Sequence, residues 1–123
     1  MKPSGTLGLL LGTVAVLSSA CPVLAYNPVA GNWRLTLEFE DTQATETYEV
    51  MLREDGYWSA RGWDMGGNWS CPVAFVLNIT GQNGRGSFSA TSVKISRDYD
   101  NAHGLFVYSK DGKWREGNLM MER

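Results

Sequence analysis

Histidine occurs once in this chain, cysteine twice, and no stretch carries a run of basic residues. One His, His103, leaves no second imidazole for a histidine-built metal site, and any Ser–His dyad would rest on it alone. Eleven Lys and Arg stand against thirteen Asp and Glu. That balance offers no cationic surface for nucleic acid and no polybasic patch for anionic lipid. Long hydrophobic runs are missing too. The apolar run from Leu7 to Leu17 is too short to span a bilayer comfortably as a helix.

That run follows the positive Lys2 and leads into small residues ending in Val23-Leu24-Ala25. This is the pattern of a signal peptide cleaved after Ala25. Residues 1–25 are therefore read as a leader and 26–123 as a single secreted or periplasmic domain, with no membrane attachment after cleavage. Cleavage after Ala20 is the competing outcome and would leave Cys21 at the new N-terminus. Ser18, three places before Cys21, argues against a lipoprotein signal, and the short apolar run argues against an uncleaved anchor. A cut after Ala25 leaves Cys71 as the sole cysteine, expected to pack as a small buried hydrophobe. A retained Cys21 would permit a bridge to Cys71.

With Lys2 removed, ten basic residues face thirteen acidic ones, a net charge of −3. All five Trp, five Tyr and four Phe fall after the leader. Each large side chain fully buried contributes about 1.5–3 kcal/mol, enough together to support a small domain without disulfides.

The pattern after Gly31 is that of strands. Trp33, Leu35, Leu37 and Phe39 alternate with Arg34, Thr36, Glu38 and Glu40, one face buried and one wet. Tyr48, Val50 and Leu52 repeat the period, and Asp55-Gly56 signals a hairpin into Tyr57–Trp63. Asp64 to Asn68 has the composition of a flexible loop. Trp69, Cys71, Val73, Phe75, Leu77 and Ile79 continue on one odd phase, with Pro72 expected at a strand start or edge. Gly81 to Gly86 is a turn, and the change of phase between Phe88/Ala90 and Val93/Ile95 predicts a bulge between Thr91 and Val93. Asp98 to Gly104 reads as a polar loop, Leu105 to Tyr108 as a strand apolar on both faces, and Asp111-Gly112 as a second hairpin before Trp114–Arg123. Seven or eight strands and no helix predict an all-β fold, a small antiparallel sandwich or barrel.

Candidate sites are few. The interior face, from Trp33 through Leu77, would either hold an apolar ligand or be filled by its own side chains, since eight strands enclose little more than that. Tyr57, Trp58, Arg61, Trp63 and Trp69 surround the glycine-rich segment and are the expected ligand- or partner-binding residues, because exposed Trp, Tyr and Arg make binding hot spots. Asp98, Asp100 and His103 hint at a metal or acid–base site, but the calcium-loop spacing fails at Ala102 and Gly104, and a polar turn accounts for them. Glu38 and Glu40 read as outward carboxylates on a wet strand with no apolar pocket to raise a pKa. Asn68-Trp69-Ser70 and Asn78-Ile79-Thr80 fit the N-glycosylation tripeptide. No catalytic residue, metal ligand or cofactor is assigned.

Gly31-Asn32-Trp33 at the head of the first strand, the succeeding hairpins and an arginine near the C-terminus together resemble the calycin superfamily. That group holds lipocalins, fatty-acid-binding proteins, avidins and small bacterial metalloprotease inhibitors. The resemblance implies an up-and-down barrel in which Trp33 plugs one end under a late basic side chain, Arg123 first and Arg115 second. It implies a non-enzymatic, lipocalin-like binding protein taking a small apolar ligand inside or a secreted protein partner at a Trp-rich mouth. The alternative is a periplasmic inhibitor of a protease or other hydrolase, inserting Tyr26 to Ala30. A small barrel enzyme ranks third, lacking a nucleophile–base pair.

Overall fold

The alternation beginning at Trp33 becomes the first strand and defines the inside of the sheet. In a computed structural model, which describes residues 28–123, eight antiparallel strands follow one another. They are β1 (Gly31–Phe39), β2 (Thr45–Leu52), β3 (Tyr57–Arg61), β4 (Trp63–Val73), β5 (Val76–Gln82), β6 (Gly86–Ile95), β7 (Asn101–Lys110) and β8 (Lys113–Glu122). Each pairs with the next, and β8 returns to β1 with Leu37 opposite Leu119. The result is a closed up-and-down barrel of the kind the sequence pattern implies. The expected leader, residues 1–25, lies outside the described residues, as do Tyr26 and Asn27 of the lead-in.

Trp33, Leu35, Leu37, Phe39, Val50, Leu52 and Leu77 are buried as their phase demands, while Tyr48 and Phe75 are half-buried. Aromatic rings run through the interior. Phe39 meets Phe106 edge-on at 5.3 Å, Phe106 stacks on Phe88 at 5.9 Å, and Phe88 meets both Trp58 and Trp63 at 5.9 and 5.4 Å. Edge-on and offset contacts at these separations are the favourable arrangements of ring quadrupoles.

Both ends are closed by an arginine on an aromatic ring. At the end where the described chain starts and finishes, the Arg123 guanidinium sits 4.3 Å from the centre of the Trp33 ring. It also donates to the carbonyls of Pro28, Ala30 and Tyr99, while the Trp33 indole N–H donates to the Val29 carbonyl at 2.8 Å. At the opposite end Arg115 lies 3.9 Å over Phe39 and holds Asp41 by two hydrogen bonds. Arg115 therefore caps a different ring from Trp33. A delocalised cation over a π-face is attractive, and the forked donors satisfy carbonyls that the strand ends leave unpaired.

The structure departs from the sequence reading in four places. Asp64–Asn68 is not a loop but the first part of β4, where Gly67 lets the backbone approach β5: a Cβ there would stand 2.2 Å from the Thr80 carbonyl oxygen. The odd-phase run Trp69–Ile79 is two strands joined by a turn at Ala74-Phe75. A register shift between Ser70 and Val73 flips the phase, so Trp69 and Cys71 before the turn and Leu77 and Ile79 after it all point inward while Val73 is exposed, and Pro72 sits in that shift, where no ladder N–H is required. Phe75 takes a left-handed φ of 63° and stacks at 5.3 Å on Tyr99, itself at 60°. Asp98–Gly104 is shorter as a loop than expected, since β7 begins at Asn101. Finally, Cys71 is disulfide-bonded and not the free buried thiol expected. The sequence contains one other cysteine, Cys21, outside the described residues. The bulge between Thr91 and Val93 is where the phase change places it: β6 gains a residue between Ala90 and Val93, and the Ser92 N–H is taken by the Asn78 side-chain oxygen at 2.9 Å.

Two measurements follow from closure and the disulfide. Gly117 faces Phe106 inside the β1–β8 seam, and a Cβ there would overlap the Glu38 carbonyl oxygen at 1.8 Å. Gly117→Ala is expected to lower unfolding free energy in urea by about 1–3 kcal/mol or more, the cost of overpacking. A chain that retains Cys21 is expected to be two hydrogens lighter than its all-thiol mass, and reduction should lower its melting temperature. A chain starting at Tyr26 would carry one cysteine and show neither effect.

Candidate binding surface

The residues expected to form one aromatic mouth are divided by the fold. Trp58 is only 3% exposed and donates its indole N–H to the Thr80 carbonyl at 2.8 Å. Its ring lies where a Cβ on Gly81 would be, which is why that position carries no side chain. Trp69 is buried near the other end, its indole N–H bonded to the Arg53 carbonyl at 2.8 Å. Tyr57 and Arg61 face solvent on β3. Trp63 alone reaches a rim. It stacks on Tyr48 at 4.7 Å and meets Tyr108 edge-on at 5.8 Å.

Trp58 and Trp63 fall on opposite phases of the sequence yet lie 6.2 Å apart. The β3–β4 corner brings them together, through a register shift between Ser59 and Ala60 and a left-handed Gly62 with φ of 80°. That shift places Ala60 opposite Trp63 and turns the Trp63 ring inward.

Around this rim the polar groups are paired. The Tyr48 hydroxyl donates to Glu46 at 2.6 Å. Burial beneath Trp63, and then the Glu46 carboxylate, push the Tyr48 phenol pKa upward and keep it protonated. Arg85 and Asp111 form a two-point pair, as do Arg115 and Asp41. The Arg115 hydrogen bonds hold Asp41 below the ordinary carboxylate range, and Arg85 does the same for Asp111.

Beside the rim, on the outer face of β7 and β8, lies a strip the sequence reading did not single out. Trp114 is 70% exposed and Leu105 68%, with Val107 between them also exposed. In register Leu105 lies opposite Asn118, Val107 opposite Glu116 and Ser109 opposite Trp114. Two shallow clefts of about 420 and about 490 Å³ open over this strip and share Glu40, Val107 and Glu116, so they form one groove. The sequence did hold a signal: Leu105 to Tyr108 is apolar on both faces, and a barrel has only one inside. Large apolar side chains clustered on an outer strand face are the exception that marks an interaction surface.

The remaining candidates are placed apart from this groove. Asp98 sits in the β6–β7 turn, accepting from the Ser96 hydroxyl at 2.6 Å and from the Asp100 N–H at 3.2 Å, and those bonds lower its pKa. His103 points outward on β7, opposite Met120. Among the described residues no three His, Cys, Asp or Glu side chains gather as a metal site would require. Asn68 is exposed, whereas the Asn78 side chain is engaged at the β6 bulge. No family model, curated protein or solved structure matches this chain.

The Arg115–Asp41 pair yields a checkable titration. A depressed carboxyl pKa contributes stability above its unfolded value and loses it as pH falls through the folded one. Carboxyl-carbon NMR should show Asp41 titrating below the ordinary aspartate range in the native protein and returning toward it in Arg115→Ala.

Proposed function

We propose that this is a secreted, non-enzymatic binding protein of lipocalin-like barrel form that engages a protein partner through the outer strip Leu105–Val107–Trp114. The observation that carries this reading is the contrast between inside and outside. Interior positions are occupied by interlocking rings, and each end is covered by an arginine lying on an aromatic. The two most exposed large apolar side chains, Trp114 and Leu105, lie instead on β8 and β7, next to the half-buried Trp63, Tyr48 and Tyr108. An exposed Trp flanked by aliphatic side chains and rimmed by polar groups has the anatomy of an interface hot spot. An apolar ligand inside would have to displace core aromatics, at the energetic cost that opening a cavity carries.

The inhibitor alternative, with Tyr26 to Ala30 inserting into a hydrolase, draws less support. Val29 is fully buried, and Arg123 grips the carbonyls of Pro28 and Ala30 on either side of it. Those three residues are built into the closed end of the barrel.

Nile red, a neutral apolar dye, separates the surface reading from the interior one. Its emission on the protein is expected to fall several-fold in the Leu105→Ser/Trp114→Ala double variant, with the melting temperature within a degree or two of the parent, as for surface substitutions generally. Emission that survives that change and is displaced by a fatty acid would return the ligand to the interior and defeat the surface proposal.

A further inference from the structure

Resting on that surface reading, we infer that the partner presents a basic segment, its Lys or Arg side chains meeting Glu38, Glu40 and Glu116 while an apolar side chain takes the Leu105–Val107–Trp114 strip. The groove is lined by Glu40 and Glu116, and Glu38 lies beside it, next to the lining residue Asn118. Glu38 and Glu116 belong to the outward phase of β1 and β8, since Leu37, Phe39, Gly117 and Leu119 point inward, and Glu40 follows β1 directly as an exposed residue. Glu40 donates its backbone N–H to the Glu116 carbonyl at 2.9 Å, one step beyond the Phe39–Gly117 pair, so the two glutamates are direct cross-strand neighbours. Like charges directly opposite across a sheet destabilise it.

No ion pair among the described residues relieves that repulsion. Among the described residues the ion pairs are Arg34–Glu122, Arg53–Asp55, Arg85–Asp111 and Arg115–Asp41, and none involves Glu38, Glu40 or Glu116. Arg115, the nearest arginine in sequence to Glu116, is turned to Phe39 and Asp41. Glu38 meets only the Asn118 amide, at 3.5 Å. Lys110 and Lys113 lie beyond Trp114, paired with each other in register at the β7–β8 turn; Arg115 also lines the groove but is matched by Asp41, so Glu40 and Glu116 leave it net acidic. A partner cation laid between Glu40 and Glu116 removes a repulsion present in the free barrel, and the apolar strip beside it supplies the burial. Electrostatic complementarity of this kind sets specificity and association rate.

The same charges disfavour two other occupants. A second copy docked face to face would bring Glu40 and Glu116 against their own equivalents, as a two-fold interface does with any patch. An anionic lipid surface would be repelled by the carboxylates that line the strip.

The probes are a short alternating Leu–Lys peptide and its Leu–Glu counterpart, titrated into the full secreted protein by amide NMR. The Leu–Lys peptide is expected to shift amides within 38–40, 105–107 and 114–118, to bind more weakly as salt rises, and to lose about tenfold in affinity in the Glu40→Gln/Glu116→Gln double variant. That variant should melt no lower than the parent, because it removes a repulsion; a merely damaged barrel would melt lower. Equal binding of the Leu–Glu peptide on the strip would overturn the basic-partner inference and leave the surface reading standing. Shifts elsewhere on the barrel, or none with the Leu–Lys peptide, would also overturn it. A concentration-dependent dimer that buries Trp114 would assign the groove to a second copy.

Discussion

Every strand of this protein depends on β8 finding β1. Until that seam forms, the sheet has two open edges and its apolar face is only partly covered. Once it forms, Trp33, Leu35, Leu37 and Phe39 of β1 close against Leu119 and Met121 of β8. The seam admits no side chain at Gly117, where the Glu38 carbonyl and the Phe106 ring occupy the space. It is completed by Arg123, the residue that follows β8, lying on Trp33 at the start of β1. The two ends of the described chain thus meet across one indole ring, and closure is a contact between the first and last strands. Such long-range pairing is slow to form because the loop entropy comes due before the contacts repay it.

With the sheet closed, the location of function is largely a question of what remains outside. A barrel whose inward residues interlock has little room for a ligand, so chemistry and recognition fall to loops and outer faces. The polar groups at the Trp63 rim are spent on one another: Tyr48 with Glu46, Arg85 with Asp111, Arg115 with Asp41. The outer strip on β7 and β8 is different, because Trp114, Leu105 and Val107 are exposed and, among the described residues, Glu40 and Glu116 form no ion pair.

Much of the fold was legible in the alternation. The period of two placed Trp33 to Phe39, and Asp-Gly pairs marked two hairpins. The change of phase at Phe88–Val93 announced a bulge. What the sequence concealed were events that alter phase without altering composition. Glycines at 66 and 67 look like a loop but serve close approach between strands, and a shift near Pro72 preserves an apparently continuous run through a turn. Another shift, at Ser59 and Ala60, with the turn at Gly62, carries Trp63 to the same side as Trp58. For that reason the expected aromatic mouth was only partly assembled: one register step decides whether a Trp is core or rim. Trp114 escaped notice because Asp-Gly-x-Trp reads first as a turn, and only the register shows its ring lying diagonally across from Val107.

One feature of the barrel wall sets where it can breathe. β3 is five residues long and pairs with β2 only over Glu49–Leu52 against Trp58–Arg61, whereas β7 and β8 are paired along their whole length. Opening begins where the fewest backbone bonds must break together. Since β3 also pairs with β4 at only four positions, β3 is the barrel's weakest stave, and its fluctuations would uncover the Trp58 side of the core. The β7–β8 face stays the stiff wall. A surface that must present its side chains in one arrangement to a partner loses least entropy when it stands on such a wall.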